Sequence, residues 1–381
     1  MMKFFIQHEI WPLNAKQVVR HKVRTFTGLT SMLDKKRHSR MTNPFIFTIM
    51  SIFFITACAY GGADTMTSET YILSRSGAPS LALNYYPAKV GCTSQFEPVL
   101  FIHGATFPSE LSVGYTIGNQ SWAGDLNVAC FDVWALNFAG YGLSGDYTAL
   151  NRQGDPAEVP GRSHEVKHQI ARAVELIRER TPHRKVSILA HSWGTIPAGA
   201  FAADNPALVK NLILFGAIAQ REGAKADVNL PPTQLVSVKE QHDKFVHDTP
   251  PSHVPVLDEA IFATWASHYL AGDPHSASRS PSSVEVPSGP IADIMAAWTG
   301  SFPYDPSRIK APTLIIRGEW DHLSTEEDNA WLKQKLSSAA SVVDVALPEG
   351  GHLMHFENGR FRLRDEVRSF LIGKSQSGAS E

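Results

Sequence analysis

The chain has 381 residues, of which 43% are hydrophobic and 19% charged, with a formal net charge of −2 at pH 7. A chain of this length and composition can bury a full core, and its near-neutral charge gives no reason to expect a nucleic acid partner. The three cysteines are isolated, so we expect neither a metal nor a cofactor.

The N-terminal segment predicts export. A basic run at residues 35–40 precedes an apolar run at residues 45–57, which has the length of a secretory signal rather than of a membrane span. The apolar run ends at Cys58 in the sequence Ile-Thr-Ala-Cys, which resembles the lipobox of bacterial lipoproteins. We expect a signal peptide over residues 32–58, and we interpret residues 1–31 as an extension that is not native, with translation starting at Met32.

Two fates of this signal are open. Lipidation of Cys58 would anchor the protein to a membrane. Ordinary cleavage at the Ala-Cys-Ala sequence around Cys58 would instead give a soluble periplasmic or secreted protein. We favour the lipoprotein.

The residues that follow predict an α/β domain. Strand-like apolar runs occur at residues 69–74, 81–86, 99–103, 131–137, 186–190, 212–215, 314–317 and 342–347. From the third run onward they alternate with helical patterns, such as the one at residues 164–180, as a parallel sheet requires.

The fifth run breaks at Ser192 and restarts as a helix. Ser192 would therefore stand on a tight strand-to-helix turn with strained backbone geometry, which needs small neighbours such as Ala190 and Gly194. The alternative is a buried serine that ends a core strand.

Two later strand runs each end in a candidate partner for this serine. Asp321 follows the seventh run, and His352 follows the eighth, after two glycines. Glu319 is a rival acid, and His322 and His355 are rival bases.

The turn and the chain order of these residues resemble the α/β-hydrolase family, with Ala190 in place of the usual first glycine. The resemblance covers residues 69–371. It implies an α/β-hydrolase fold: a mostly parallel eight-stranded sheet flanked by helices, with a helical cap. It also implies a catalytic triad of Ser192 as nucleophile, His352 as base and Asp321 as the acid that orients it.

The third run ends at His103, and Gly104 follows it. This His-Gly turn resembles the first oxyanion loop of that family. The backbone N–H groups of Ala105 and Trp193 would then be the oxyanion donors. An ordinary turn is the alternative reading of this sequence.

Residues 220–303 interrupt the alternation, and we interpret them as a cap inserted in a core of residues 69–219 and 304–372. Residues 257–270 and 291–298 are its candidate helices, and we expect the Ser- and Pro-rich residues 276–290 to form a mobile surface loop. Residues 373–381 are expected to be a disordered tail. The aromatic residues at helical spacing are as compatible with core packing as with a pocket. The candidate pocket residues are His103, Phe262, Trp265, Tyr269 and Trp298.

The resemblance also makes a disulfide plausible. In the family the third and fourth strands are parallel neighbours, so Cys92 and Cys130 would meet at the end of the sheet opposite the active site. Two unpaired cysteines are the alternative.

The resemblance implies a serine hydrolase that cleaves a carboxylic ester of a small or medium, partly apolar molecule through an acyl-enzyme on Ser192. A lactonase, an amidase or aminopeptidase, a carbon–carbon bond hydrolase and an acyltransferase could use the same triad. A different class is a non-catalytic binding lipoprotein.

Overall fold

The computed structural model describes residues 68–89, 91–92, 96–147, 159–223 and 229–373. The predicted signal peptide with Cys58 and the tail after residue 373 lie outside the described residues.

The main sheet has eight strands: β1 (Glu69–Arg75), β2 (Ala78–Tyr86), β3 (Glu97–Ile102), β4 (Phe131–Leu136), β5 (Val186–His191), β6 (Val209–Phe215), β9 (Thr313–Gly318) and β10 (Val342–Leu347). Their order across the sheet is β1-β2-β4-β3-β5-β6-β9-β10. The β1–β2 and β2–β4 pairs are antiparallel, and all other pairs are parallel. This sheet confirms the predicted fold.

Helices cover both faces of the sheet, which explains why its central strands are almost fully buried and largely apolar. The helices outside the cap are α1 (Trp122–Val128), α2 (Ser163–Arg180), α3 (Thr195–Asp204), α7 (Glu326–Lys335) and α8 (Arg360–Leu371). On one face Ile170 of α2 and Phe201 of α3 join the core cluster that contains Ile188 of β5. On the other face Trp122 of α1 and Leu363 of α8 join the cluster that contains Leu189.

The cap lies between β6 and β9. Its elements are β7 (Thr233–Ser237), α4 (Val238–Val246), α5 (Glu259–Ala271), β8 (Ser283–Pro287) and α6 (Gly289–Ala297). The strands β7 and β8 pair antiparallel in a separate two-stranded sheet.

The prediction of a mobile loop at residues 276–290 is wrong, because β8 runs through that segment and pairs with β7. Its valines alternate with polar residues, and Val286 is buried in the main core cluster. This alternation and the backbone pairing outweigh the Ser- and Pro-rich composition.

A disulfide joins Cys92 and Cys130, with 5.7 Å between their Cα atoms. Cys92 precedes β3 and Cys130 directly precedes β4, and these strands are parallel neighbours with Glu97 opposite Phe131. The bond therefore lies at the amino ends of the strands, whereas Ser192 follows the carboxyl end of β5. Within the described ranges, no helix combines the length and apolar character that crossing a membrane needs.

Candidate active site

Ser192 stands on the turn between β5 and α3. Its φ is 56°, in the left-handed region that costs a non-glycine residue about 1–2 kcal/mol. The Thr195 hydroxyl donates to the Ser192 carbonyl at 2.6 Å and so helps to hold the turn. A Cβ at Gly194 would come within 2.3 Å of the carbonyl oxygen of His103, which explains the small residue at that position.

The structure brings Ser192, His352 and Asp321 together. The distance from Nε2 of His352 to Oγ of Ser192 is 2.7 Å, and Nδ1 lies 2.8 Å from Oδ2 of Asp321. The other carboxylate oxygen, Oδ1, accepts from the backbone N–H groups of Leu323 and Ser324, each at 2.9 Å. The buried acid is therefore fixed by its own loop, and it fixes the imidazole in turn.

The rival residues do not join this chain of hydrogen bonds. Glu319 is exposed on the loop after β9. The imidazole of His322 bonds to Asp248 instead of Ser192. His355 is buried, and its ring packs against Trp122, Phe215 and His191.

Charge around His352 favours the protonated imidazole. Burial by itself lowers the pKa of His352, but the charge and hydrogen bond of Asp321, with smaller contributions from the charges of Asp248 and Glu357, leave this pKa above its ordinary value. Burial, with the charges of Asp248 and Asp321, raises the pKa of Glu357 to about 7. The site can therefore accept a proton on His352 and stabilise the resulting imidazolium.

The loop after β3 lies directly against the nucleophile. A Cβ at Gly104 would be 3.1 Å from Cβ of Ser192, and Ala105 is the next residue along this loop. The Tyr141 hydroxyl donates to the Ala105 carbonyl at 2.5 Å, which fixes the orientation of that backbone. On the other side, the indole N–H of Trp193 donates to Asp293 at 3.0 Å. Side-chain hydrogen bonds therefore hold both residues that were predicted to supply oxyanion donors.

His103 holds two loops together. Its Nδ1 lies 2.7 Å from the Gly104 carbonyl oxygen, so the ring donates there, and Nε2 accepts from the backbone N–H of Phe138 at 3.2 Å. Burial lowers the pKa of His103 to about 4, which keeps the ring neutral. These bonds favour a structural role over the expected role in a pocket.

The cap aromatics pack with one another. Phe262, Trp265 and Tyr269 are buried in a cluster with Phe107 and Phe356. The Trp265 indole donates to the carbonyl of Leu111 at 2.9 Å, and the Tyr269 hydroxyl donates to that of Val236 at 3.1 Å. This packing favours the interpretation that the aromatic residues at helical spacing belong to the core rather than to a pocket.

Trp298 lies at the end of α6 and is half-buried. The Arg221 guanidinium lies 4.5 Å from the centre of its ring. Arg221 also bonds to Asp328 and to the carbonyls of His322 and Leu323. Trp298 therefore contacts the arginine that binds the loop after β9.

Sequence reasoning missed three residues that position the site. Tyr141 sits between two glycines of a turn, a signal that was available in the sequence. Asp248 accepts from the backbone N–H of His352 at 2.6 Å, although 104 positions separate them. Asp293 and Trp193 are 100 positions apart. Neither aspartate lies in a local motif that would reveal its distant partner.

Known proteins resemble this chain in sequence or in fold. A mouse protein named lipase member K is 24% identical over 194 residues, which are 50% of this chain and 47% of the lipase. The match thus spans just under half the length of that relative. A bacterial membrane phospholipase A structure described as a virulence factor superposes with a TM-score of 0.53 and 16% identity, over 81% of this chain and 87% of that one. A putative lipase from Acinetobacter baumannii gives a TM-score of 0.51 and 16% identity, over 81% and 92%.

The sequence profile of the alpha/beta hydrolase fold matches residues 97–359, well over half of the chain. The matched range contains Ser192, Asp321, His352 and the cap. The chain belongs to the alpha/beta hydrolase fold family.

Proposed function

We propose that this protein is a serine hydrolase that cleaves carboxylic esters through an acyl-enzyme on Ser192. The observation that carries the proposal is the continuous chain of hydrogen bonds from Ser192 through His352 to Asp321. A buried serine hydroxyl held at 2.7 Å from an imidazole nitrogen is arranged for general-base activation.

In the acylation step, Oγ of Ser192 attacks the ester carbonyl carbon while Nε2 of His352 takes the hydroxyl proton. Asp321 stabilises the imidazolium that forms. The backbone N–H groups of Ala105 and Trp193 stabilise the oxyanion of the tetrahedral intermediate, where one such donor contributes on the order of 3 kcal/mol. The intermediate breaks its bond to the alcohol oxygen, which receives the proton from His352.

Deacylation repeats these steps with water. His352 takes a proton from a water molecule, whose oxygen attacks the acyl carbon. The new tetrahedral intermediate then expels Oγ of Ser192, which recovers its proton from His352. The products are the carboxylic acid and the free enzyme.

We infer an ester of a small or medium, partly apolar molecule as the substrate. The names of the mouse and Acinetobacter lipases support an ester rather than an amide or a carbon–carbon bond. A lactone is a cyclic ester and remains within this class.

We further propose that the protein is exported, with Cys58 lipidated and the enzyme anchored to a membrane. The disulfide between Cys92 and Cys130 supports export, because structural disulfides persist in oxidising compartments.

The test compares wild type with Ser192→Ala on p-nitrophenyl esters of increasing chain length, lactones and aminoacyl arylamides. We expect the wild type to hydrolyse the esters and to be labelled by a fluorophosphonate, and the variant to lose both properties with its fold unchanged. Ser187→Ala is the matched control, because Ser187 is buried on β5, the strand that precedes Ser192, and bonds only to Asn211 among the described side chains. Labelling that survives in Ser192→Ala would place the nucleophile elsewhere.

A further inference from the structure

Three side chains form a second cluster at the contact between the cap and the loop after β9. His247 and Asp248 follow α4 of the cap, and His322 follows Asp321. One ligand-type atom from each of the three lies within 4.8 Å of the others. We call them the His247–Asp248–His322 cluster.

The two imidazoles converge on one carboxylate oxygen. Nδ1 of His247 lies 3.6 Å from Oδ1 of Asp248, and Nδ1 of His322 makes a hydrogen bond to the same oxygen. The two rings stack with their centres 4.1 Å apart and their planes 27° apart. The stacking presents both Nδ1 atoms to Asp248 from adjacent positions.

These distances suit a small divalent cation. Zinc binds histidine nitrogen and carboxylate oxygen at about 2.0–2.2 Å, so two ligands of a tetrahedral ion lie roughly 3.4 Å apart. The pair formed by His247 and Asp248 already has nearly this separation. The side chain of His322 is 43% exposed, so a small rotation can exchange its hydrogen bond for a bond to the ion.

A hydrogen bond to its second oxygen fixes the carboxylate of Asp248. Oδ2 of Asp248 accepts from the backbone N–H of His352 at 2.6 Å, which leaves Oδ1 to face the two histidines. Such an outer hydrogen bond is the usual support of a ligating carboxylate. The side chain of Asp248 is only 6% exposed, whereas that of His247 is 62% exposed, so an ion can enter from solvent.

The local charge also favours a cation. Among the described residues, Asp248 and Asp321 form ion pairs only with histidines, and neither pairs with lysine or arginine. Glu357 adds a third carboxyl group, because Gly351 lies between it and Asp248: a Cβ at Gly351 would be 2.8 Å from Cβ of Asp248 and 2.9 Å from Oε1 of Glu357. A bound divalent ion would offset this concentration of negative charge.

We propose that the His247–Asp248–His322 cluster binds a divalent transition-metal ion of the Zn²⁺ class through the two Nδ1 atoms and Oδ1 of Asp248. Imidazole and carboxylate ligands suit zinc, cobalt and nickel, and three protein ligands leave one position for water. The ion replaces the proton that His322 shares with Asp248, and this proton passes to solvent. It links the cap to the loop that carries Asp321.

The test uses the full chain without a polyhistidine tag, freed of metal by a chelator. Zn²⁺ alone is titrated at pH 7.5 by calorimetry, and Co²⁺ alone is followed by visible absorption. We expect one saturable site in the wild type, with an affinity that falls about tenfold or more in His247→Gln and in His322→Gln. Saturating Zn²⁺ should raise the Tm of the wild type by about 5 °C and leave both variants nearly unchanged.

A matched control is His275→Gln, which removes an exposed histidine of the cap, because a chain with 16 histidines also binds zinc weakly elsewhere. This variant should bind Zn²⁺ like the wild type. Equal affinity in the wild type and in the variant that carries both cluster substitutions overturns the proposal, and so does the lack of a saturable site in the wild type. No readout depends on hydrolysis, so the result is independent of the chemistry at Ser192.

Discussion

The indole N–H of Trp193 and the carboxylate of Asp293 are joined by a hydrogen bond of 3.0 Å, which ties helix α6 of the cap to the residue after the proposed nucleophile. The same carboxylate accepts from the backbone N–H of Ser163 at 2.6 Å and from Nε of Arg162 at 2.9 Å. One buried side chain therefore connects the cap, the start of α2 and the turn at Ser192.

We expect Asp293→Ala to lower the free energy of unfolding by about 3 kcal/mol, because it leaves three donors without their acceptor and breaks a partly buried ion pair. It should also lower kcat, because Trp193 loses the bond that orients it. Urea unfolding and steady-state kinetics measure the two effects. Asp365→Ala is the control, since Asp365 is exposed and pairs with Arg368 at the surface, where the change should stay within about 0.5 kcal/mol. Equal stability of the two variants would contradict this role of Asp293.

The acid of the triad can be tested with two adjacent carboxylates. Asp321→Asn should lower kcat by about 10³- to 10⁴-fold, because the amide favours the wrong imidazole tautomer. Glu319→Gln should change kcat little, because that side chain is exposed. Steady-state kinetics with a p-nitrophenyl ester provide the comparison, and a larger loss of kcat in Glu319→Gln would reverse the assignment.

The strand pattern of the sequence was sufficient to predict the main sheet and to place Ser192, Asp321 and His352 after the carboxyl ends of three parallel strands. The cap was harder to predict. Its strand β8 is short and lies in the Ser- and Pro-rich segment 276–290, and its pairing with β7 depends on residues about 50 positions away. The contacts of Asp248 with His352 and His322 likewise appear only when the cap packs on the core, so no local pattern indicates them.

Acid should destabilise the fold through its buried histidines. Burial lowers the pKa of His103 to about 4 and places those of His191 and His355 well below the ordinary value. The unfolded chain protonates these rings below about pH 6.5 while the folded protein does not, so each removes up to about 1.4 kcal/mol of stability per pH unit below that point.

His355→Leu measures one of these contributions. Neither ring nitrogen of His355 has a hydrogen-bond partner among the described residues. When the pH falls from 7.5 to 5, the free energy of unfolding of the variant should therefore decrease by about 2 kcal/mol less than that of the wild type. Urea unfolding at the two pH values measures this difference. His168→Leu, at an exposed position of α2, should follow the wild type. Parallel curves for wild type and His355→Leu would show that His355 titrates normally.

The disulfide should contribute to stability without affecting the site. It closes a loop with a sequence separation of 38, for which chain entropy gives about 4 kcal/mol. In the variant with Cys92→Ser and Cys130→Ser, we expect the free energy of unfolding measured in urea to decrease by up to this amount. Its kcat should be nearly unchanged at 25 °C. A large fall in kcat of the folded variant would mean that the bond also positions the active site.

The proposed lipidation depends on Cys58. Expressed wild type should fractionate with membranes, and Cys58→Ser should accumulate as precursor or as soluble product, because the thiol carries the lipid that anchors the chain. Activity per folded molecule should be retained. Intact mass and membrane fractionation decide the matter, and a soluble wild type that begins near Tyr60 would favour ordinary cleavage.

The pairing of β7 with β8 has a consequence for how the cap could be exchanged. Ser237 and Ser283 face each other as the last pair of this small sheet. The chain therefore leaves β7 and enters β8 at neighbouring points. A short turn could close the same two strands into a hairpin, as in any two-stranded antiparallel unit. Helices α4 and α5 thus form a cassette that recombination or protein design could replace, while α6 and its bond to Trp193 stay with the core.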